Sequence, residues 1–265
     1  MSIIKNSEDM ANLRHSCRIL ISCFEHLGGL IRAGISAGEL DQFAIAFIRS
    51  YDGEPSFLGY QGFKYAVCTS INDEVAHGLS PFTKIIPNNC LVKLDMGVRY
   101  KGMISDSCRT YIIGEVDPKY QKLVEVNKEA MMAGISVVKA GTKLGDIGHT
   151  IDAIAKKHGY GNVYELGGHG VGYEVHSKPF VAHQGKKDTG IRLQENQVIC
   201  IEPMFNLGRA DVVFDQTKSD GWTVKTKDGS WCAQHEHEIL VTKTGSEILT
   251  QITPDQILPI THKLN

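Results

Sequence analysis

The sequence predicts an α+β protein built from two copies of one helix-helix-sheet unit. Apolar residues recur at helical spacing in long segments, and β-branched runs punctuated by Gly and Pro fill most of the remainder. In addition, Arg32-Ala33-Gly34-Ile35-Ser36-Ala37-Gly38-Glu39-Leu40 aligns at one constant offset with Lys139-Ala140-Gly141-Thr142-Lys143-Leu144-Gly145-Asp146-Ile147. Each copy follows a long helix, opens a second and leads into a Gly-rich β region. The halves therefore divide at about residues 1–115 and 116–265 of a single domain, with a site expected where they meet.

In chain order, Met10, Leu13, Cys17, Leu20, Ile21, Phe24, Leu27 and Ile31 make one amphipathic helix from Ser7 to about Ile31, ended by Ala33-Gly34. Ser36-Ala37-Gly38-Glu39 matches a capping box for a second helix to about Tyr51. Asp52-Gly53-Glu54-Pro55 breaks that pattern, and the region to Gly114 is strand-like. Asp117-Pro118 offers an N-cap and a proline at the first helical position for a helix from about Lys119 to Lys139, and Thr142 is expected to cap another reaching about His158. Short strands follow near Val163, from Gln197 to Glu202, and from Trp222 to Val241, the last folded over a Lys227-Asp228-Gly229-Ser230 turn.

At 265 residues and 42% hydrophobic, the chain can bury a substantial core. A net charge of −2 with both signs mixed throughout leaves no electrostatic footprint for nucleic acid or an anionic membrane. The seven cysteines contain no Cys-x-x-Cys pair, which argues against a disulfide framework and a zinc ribbon and suits a reducing cytosol. Glu8 and Asp9 stand where a signal peptide would be basic and then apolar, and no run reaches the length of a membrane span. The expected location is the cytoplasm.

The chemistry gathers around Leu91–Gly114, which reads as a β-hairpin. With its turn centred on Tyr100 and Lys101, Asp95 and Asp106 would be direct cross-strand partners, with Cβ atoms about 5 Å apart. Like charges at that separation repel, and a shared divalent cation resolves the conflict. Tyr100-Lys101 is not a favoured two-residue turn, so a one-residue slip that sends the aspartates to opposite faces remains open. Downstream, Gly167-Gly168-His169-Gly170-Val171-Gly172 sets an imidazole among glycines, without the strand-to-helix context or lysine of a phosphate loop. His176 follows; either histidine alone is more often a hydrogen-bonded structural residue than a ligand. Glu202 in Ile199-Cys200-Ile201-Glu202-Pro203 is either paired or metal-bound in a buried strand, or faces water from an edge strand that Pro203 permits. In Gln234-His235-Glu236-His237, alternation sets Glu236 on one face and both histidines on the other, and either face can bind metal. The collected Asp95, Asp106, Glu202, Glu236 and His169 suit two ions of Mn, Fe(II), Co or Zn sharing a water better than a thiolate zinc site.

Taken in order over nearly the whole chain, Thr69-Ser70-Ile71-Asn72-Asp73-Glu74-Val75-Ala76-His77-Gly78, the Asp95/Asp106 hairpin, Gly168-His169-Gly170-Val171-Gly172, Ile201-Glu202-Pro203, and Gly221-Trp222-Thr223-Val224 leading to Gln234-His235-Glu236-His237 resemble the type I methionine aminopeptidases of the pita-bread metallopeptidase fold. The resemblance implies two divalent metal ions bridged by Asp106 and Glu236, with Asp95 completing one site and His169 with Glu202 the other. It implies Glu202 as general base, His176 as donor to the scissile carbonyl oxygen, His77 as a contact of the scissile amide, and Tyr60, Phe63, Cys68 and Trp222 around the methionine side chain. The substrates implied are N-terminal Met peptides and nascent chains with a small second residue, cleaved by a cytoplasmic monomer with transient ribosome association. The chain's own Met1-Ser2 start would be such a substrate.

The chain resembles the bacterial form, lacking the Cys/His-rich extension of some relatives. Two departures bear on specificity. Val175-His176-Ser177-Lys178 replaces the usual Phe before the second histidine and the acidic residues after it, so Val175 is expected to widen the pocket. Lys64 stands where a proline is common, which loosens the Gly59–Tyr65 loop. A proline-directed aminopeptidase of the same fold is the alternative enzyme, although those relatives usually carry a separate N-terminal domain. A non-catalytic binding module of that fold is the other alternative.

Overall fold

The computed structural model describes residues 2–214 and 221–261; Met1, expected above to be a substrate, lies outside them. Asn6 accepts the amide of Asp9 at 2.8 Å and so caps helix α1 (Ser7–Leu30), whose stripe of Leu13, Cys17, Leu20, Phe24 and Leu27 is fully buried. Helix α2 (Ala37–Ser50) opens with the expected reciprocal box: Ser36 Oγ accepts the Glu39 amide at 3.1 Å and Glu39 accepts the Ser36 amide at 2.8 Å. Both helices cover an antiparallel sheet of β1 (Val67–Ile71), β2 (Cys90–Tyr100) and β3 (Met103–Ile113), with β2 between the other two. Phe24 and Phe47 pack there against Leu94, Met96 and Val98.

The second half repeats the plan. Asp117 caps α3 (Pro118–Ser136) by accepting the Lys119 amide at 2.9 Å, and α4 (Leu144–His158) ends at Gly159 in the left-handed region, with φ 73°. Thr142 is not the α4 cap, because its hydroxyl donates to the Val137 carbonyl at 2.9 Å. Lys143 takes that position and lacks a short acceptor side chain, so only the acidic half of the box survives, Asp146 accepting the Lys143 amide at 3.3 Å. The sheet contains β4 (Gly168–Gly170), β5 (Ser177–Val181) and β6 (Val198–Ile201). It is completed, beyond the short β7 (Cys232–Gln234), by β8 (His237–Val241) and β9 (Ser246–Ile248), in the order β9-β8-β6-β4-β5.

The turn at Lys227–Ser230 forms, with Thr226 Oγ1 donating to the Ser230 carbonyl at 2.7 Å. Its flanks do not fold back on one another as expected. Val224–Thr226 pairs with Val212–Phe214 and Glu74–Ala76, whereas β7 pairs with Met204–Asn206. Asp228 accepts the Arg209 and Ser230 amides and ties the turn to a neighbouring loop, so the two strands leave it for different sheets.

Hydrogen bonds repeat at the offset seen in the sequence. Gly34 donates to Ile86 at 2.9 Å as Gly141 donates to Leu193 at 2.8 Å, both glycines having positive φ; Ser36 bridges Ile85 as Lys143 bridges Arg192. The same offset carries Asp95 onto Glu202. The halves meet where the free edge of β3 runs beside residues 234–238: Glu236 N–H donates to Cys108 O at 2.9 Å, Ser107 Oγ to Glu236 O at 2.8 Å and Thr110 Oγ1 to Gln234 O at 2.6 Å. All seven cysteines are free and buried. Among the described residues, no helix is long and apolar enough to cross a membrane.

Candidate metal centre and active site

The hairpin register differs from the expected one. Lys101 and Gly102 are the central turn residues, with φ 46° and 85°, the positive values that a tight two-residue hairpin turn needs. Tyr100 therefore pairs with Met103, Asp95 with Cys108, and Asp106 with Gly97. The aspartates still share a face but sit diagonally, a spacing that leaves more room for cations than direct opposition would.

From the other half, β6 and the stretch entering β8 bring Glu202 and Glu236 against this face. Glu202 directly follows β6, a central strand, and is 7% exposed, so the edge-strand alternative is excluded. Glu236 is 2% exposed, whereas its flanking histidines turn away: His235 Nδ1 lies 2.9 Å from Asn127 Oδ1 and His237 Nδ1 2.9 Å from Thr250 Oγ1. The open choice between the two faces falls to the carboxylate. His169 Nε2 lies 3.3 Å from Glu202 Oε1 and 3.8 Å from Asp106 Oδ2. Donor atoms of Asp106, His169, Cys200 and Glu236 all lie within 4.8 Å of one another.

This arrangement fits cations and little else. His169 Nδ1 is 3.1 Å from the Gly170 carbonyl, which can only accept, so Nδ1 carries the proton and Nε2 turns a lone pair toward two carboxylates. Burial, followed by the nearby His176, lowers the His169 pKa to about 3, so protonation does not relieve the contact near neutrality. Asp95 Oδ1, Asp106 Oδ1, Glu202 Oε1 and Glu236 Oε1 are buried without hydrogen-bond partners. Burial pushes Asp95 up to about 7; burial and then the neighbouring carboxylates push Asp106, Glu202 and Glu236 well above the usual carboxylate range. A divalent cation would fit as the missing partner of these groups.

The remaining expected residues line two connected spaces beside the cluster. A cavity of about 140 Å³, room for one side chain, is walled by Tyr60, Phe63, Cys68 and Trp222 and floored by Asp95, Asp106, His169 and Glu236. Phe63 meets Trp222 edge-on, ring centroids 5.1 Å apart. A wider cleft of about 550 Å³ runs outward past His77, His176 and Glu202 to Lys178 and Phe180. His77 is held at φ 56° and followed by Gly78, where a side chain would collide with the Thr69 carbonyl. Burial and then His176 lower the His77 pKa to about 4. The exposed His176 ring sits 4.3 Å from His169, with Nδ1 3.1 Å from the Tyr60 hydroxyl.

Val175 is buried in the apolar cluster behind Phe57, Phe63 and Cys68 and does not itself line the cavity. Lys64 is exposed. Several contributors escaped the sequence reading. Phe57 also lines the small cavity, Gln234 donates to Glu202 Oε2 at 3.1 Å, and the buried Glu238 accepts the Asp106 amide at 3.0 Å. Period-two alternation from Glu236 would have found the last two.

Comparison with known proteins agrees with this geometry. Methionine aminopeptidase 1 of Bacillus subtilis is 37% identical over 252 residues, spanning 95% of this chain and all of that relative. The crystal structure of methionine aminopeptidase from Thermotoga maritima superposes with a TM-score of 0.91 at 35% identity, covering 95% of this chain and all of that one. The prolidase from Pyrococcus furiosus shares the fold alone: its TM-score is 0.75 at 22% identity, with 95% of this chain covering 66% of that protein. The model of metallopeptidase family M24 matches residues 11–243, and the chain belongs to that family.

Proposed function

We propose that this protein removes the N-terminal methionine from peptides and nascent chains whose second residue is small. The observation that carries this reading is the one-side-chain cavity opening directly onto the carboxylate-histidine cluster, in a chain matched end to end by methionine aminopeptidases. In it, Phe63, Tyr60, Cys68 and Trp222 hold the methionine side chain, whose thioether packs well against aromatic edges. The cavity ends at the cluster, so only the first residue of a chain fits, and the remainder leaves through the wider cleft.

Asp95, Asp106, His169, Glu202 and Glu236 would hold two divalent ions of Mn, Fe(II), Co or Zn, with Asp106 and Glu236 shared between them. Bound there, the ions supply Lewis acidity toward the scissile carbonyl and lower the pKa of water. Glu202, with one oxygen held by Gln234 and the other free, accepts the proton of the attacking water. His176, oriented by Tyr60, donates to the carbonyl oxygen as negative charge develops, and His77 contacts the amide. The two halves act as one catalytic domain. A monomer working on emerging chains in the cytoplasm, with transient ribosome association, completes the reading; the mixed surface charge and free thiols support that setting.

The test is hydrolysis of Met-Ala-Ser and Ala-Pro-Ser peptides with each metal. Metal-dependent release of Met alone is expected. Cleavage of Ala-Pro alone would favour the proline-directed reaction, and cleavage of neither would favour a binding module. His176→Ala is expected to lower kcat about 10²–10³-fold with a much smaller change in KM, as for loss of one oxyanion donor; an unchanged kcat would remove His176 from this role.

A further inference from the structure

The cluster contains one more acid than the expected ligand set. Glu238 is fully buried in β8, opposite Cys200 of β6 and two residues beyond Glu236. Its backbone is fixed from both directions, its amide donating to Thr250 Oγ1 at 3.0 Å and its carbonyl accepting from Leu249 at 2.9 Å. Its side chain points across the junction of the halves, where Oε2 accepts the Asp106 backbone N–H at 3.0 Å. Among the described residues, no Lys, Arg or His pairs with it, and Oε1 is buried without a partner.

The geometry points to Glu238 as a positioning residue of the metal centre that fixes the backbone from which Asp106 projects. β3 is bonded to β2 on one side only, so its amides on the other side need acceptors. At Cys108 the junction is closed by backbone: Glu236 N–H donates to the Cys108 carbonyl. Two residues earlier, at Asp106, no strand carbonyl arrives, and the Glu238 carboxylate replaces one. A side chain on a strand is aimed by its own backbone, so this bond sets the direction in which the Asp106 carboxylate enters the cluster. A single residue from the second half thereby orients an acid of the first.

This inference rests on reading the cluster as a metal centre, and a titration of the metal-free wild-type chain with Mn(II) and Co(II) tests that reading separately. Glu238→Gln keeps an oxygen acceptor and loses the charge; Glu238→Met keeps the volume and loses the acceptor. Calorimetric affinity and the visible Co(II) spectrum are compared for all three, beside the melting temperature of each metal-free chain. Glu238→Gln is expected to bind within about twofold of wild type with an unchanged spectrum, and Glu238→Met about 10–100-fold more weakly with an altered one, the scale of lost support behind a ligand. Wild-type affinity in Glu238→Met would overturn the assignment. So would a loss of about tenfold or more in Glu238→Gln, since charge would then be the property that matters; this second criterion holds even if Glu238→Met fails to fold.

Discussion

Asp106→Asn is expected to remove peptidase activity and make the metal-free protein more stable. The activity loss should be on the order of 10⁴-fold, the upper scale for an essential catalytic group. On the proposed reading Asp106 is a metal ligand, and an amide is a poor substitute for a carboxylate in that role. The gain in stability follows from the same crowding. Asp106 is 2% exposed, its pKa is raised by burial and then by Glu236, Asp95 and Glu238, and Oδ1 has no partner. Near neutrality the folded metal-free chain must either hold a proton there or bury a repelled charge; asparagine does neither, and its amide can donate to Glu236. A gain of about 1–2 kcal/mol, the scale of an unsatisfied buried polar group, corresponds to about 2–8 °C in Tm for a chain of this size. Calorimetry of both proteins in chelator is the check, and a lower Tm for the variant would show that the acid is satisfied by something other than metal.

The same groups set an unusual pH dependence. For Asp106, Glu202, Glu236 and Glu238, the last raised to about 8 by burial, the folded pKa lies above the unfolded value near 4. The folded chain then binds more protons than the unfolded one, and stability falls as pH rises through that interval. Buried neutral histidines work in the opposite direction. His169, His183 and His235 are lowered to about 3 and His77 and His237 to about 4, chiefly by burial, so their contribution is lost only as pH falls below about 6.5. Unfolded imidazoles still carry protons up to about pH 7.5, so the acids dominate between about pH 7.5 and 8.5. With two engaged, the metal-free chain should lose roughly 5–10 °C in Tm per pH unit, and saturating metal should abolish or reverse the trend because it displaces those protons. A metal-free Tm that rises with pH across this window would contradict the account.

What the sequence disclosed, and what it hid, depended on the range of the interaction concerned. The first two helices were legible because apolar periodicity and, for the second, the Ser36 capping box are local signals. The hairpin was legible as a hairpin, but its register depended on which residues adopt positive φ, and Lys101-Gly102 is a weaker signal than Asn-Gly. The position of Lys143 was already implied by its alignment with Ser36, although Thr142 is the better cap by residue type. The fate of the strands around Lys227–Ser230 was hidden, because sheet membership there follows from contacts with Glu74–Ala76 and Met204–Asn206, remote in sequence. Alternation alone left Glu236 and its flanking histidines open; the resemblance chose Glu236, and in the structure Asn127 and Thr250 occupy the histidines.

Asp95 and Asp106 come from one half of the duplication and His169, Glu202 and Glu236 from the other, so neither half carries the whole of the proposed ligand set. A cation held by both would act as a further tether across a junction where Phe63 and Met103 of the first half already share a buried apolar cluster with Val175, Val198 and Leu240 of the second. Metal loading therefore belongs to the assembly of this molecule as much as to its chemistry. On that ligand set the free energy of occupancy is available only to the assembled pair.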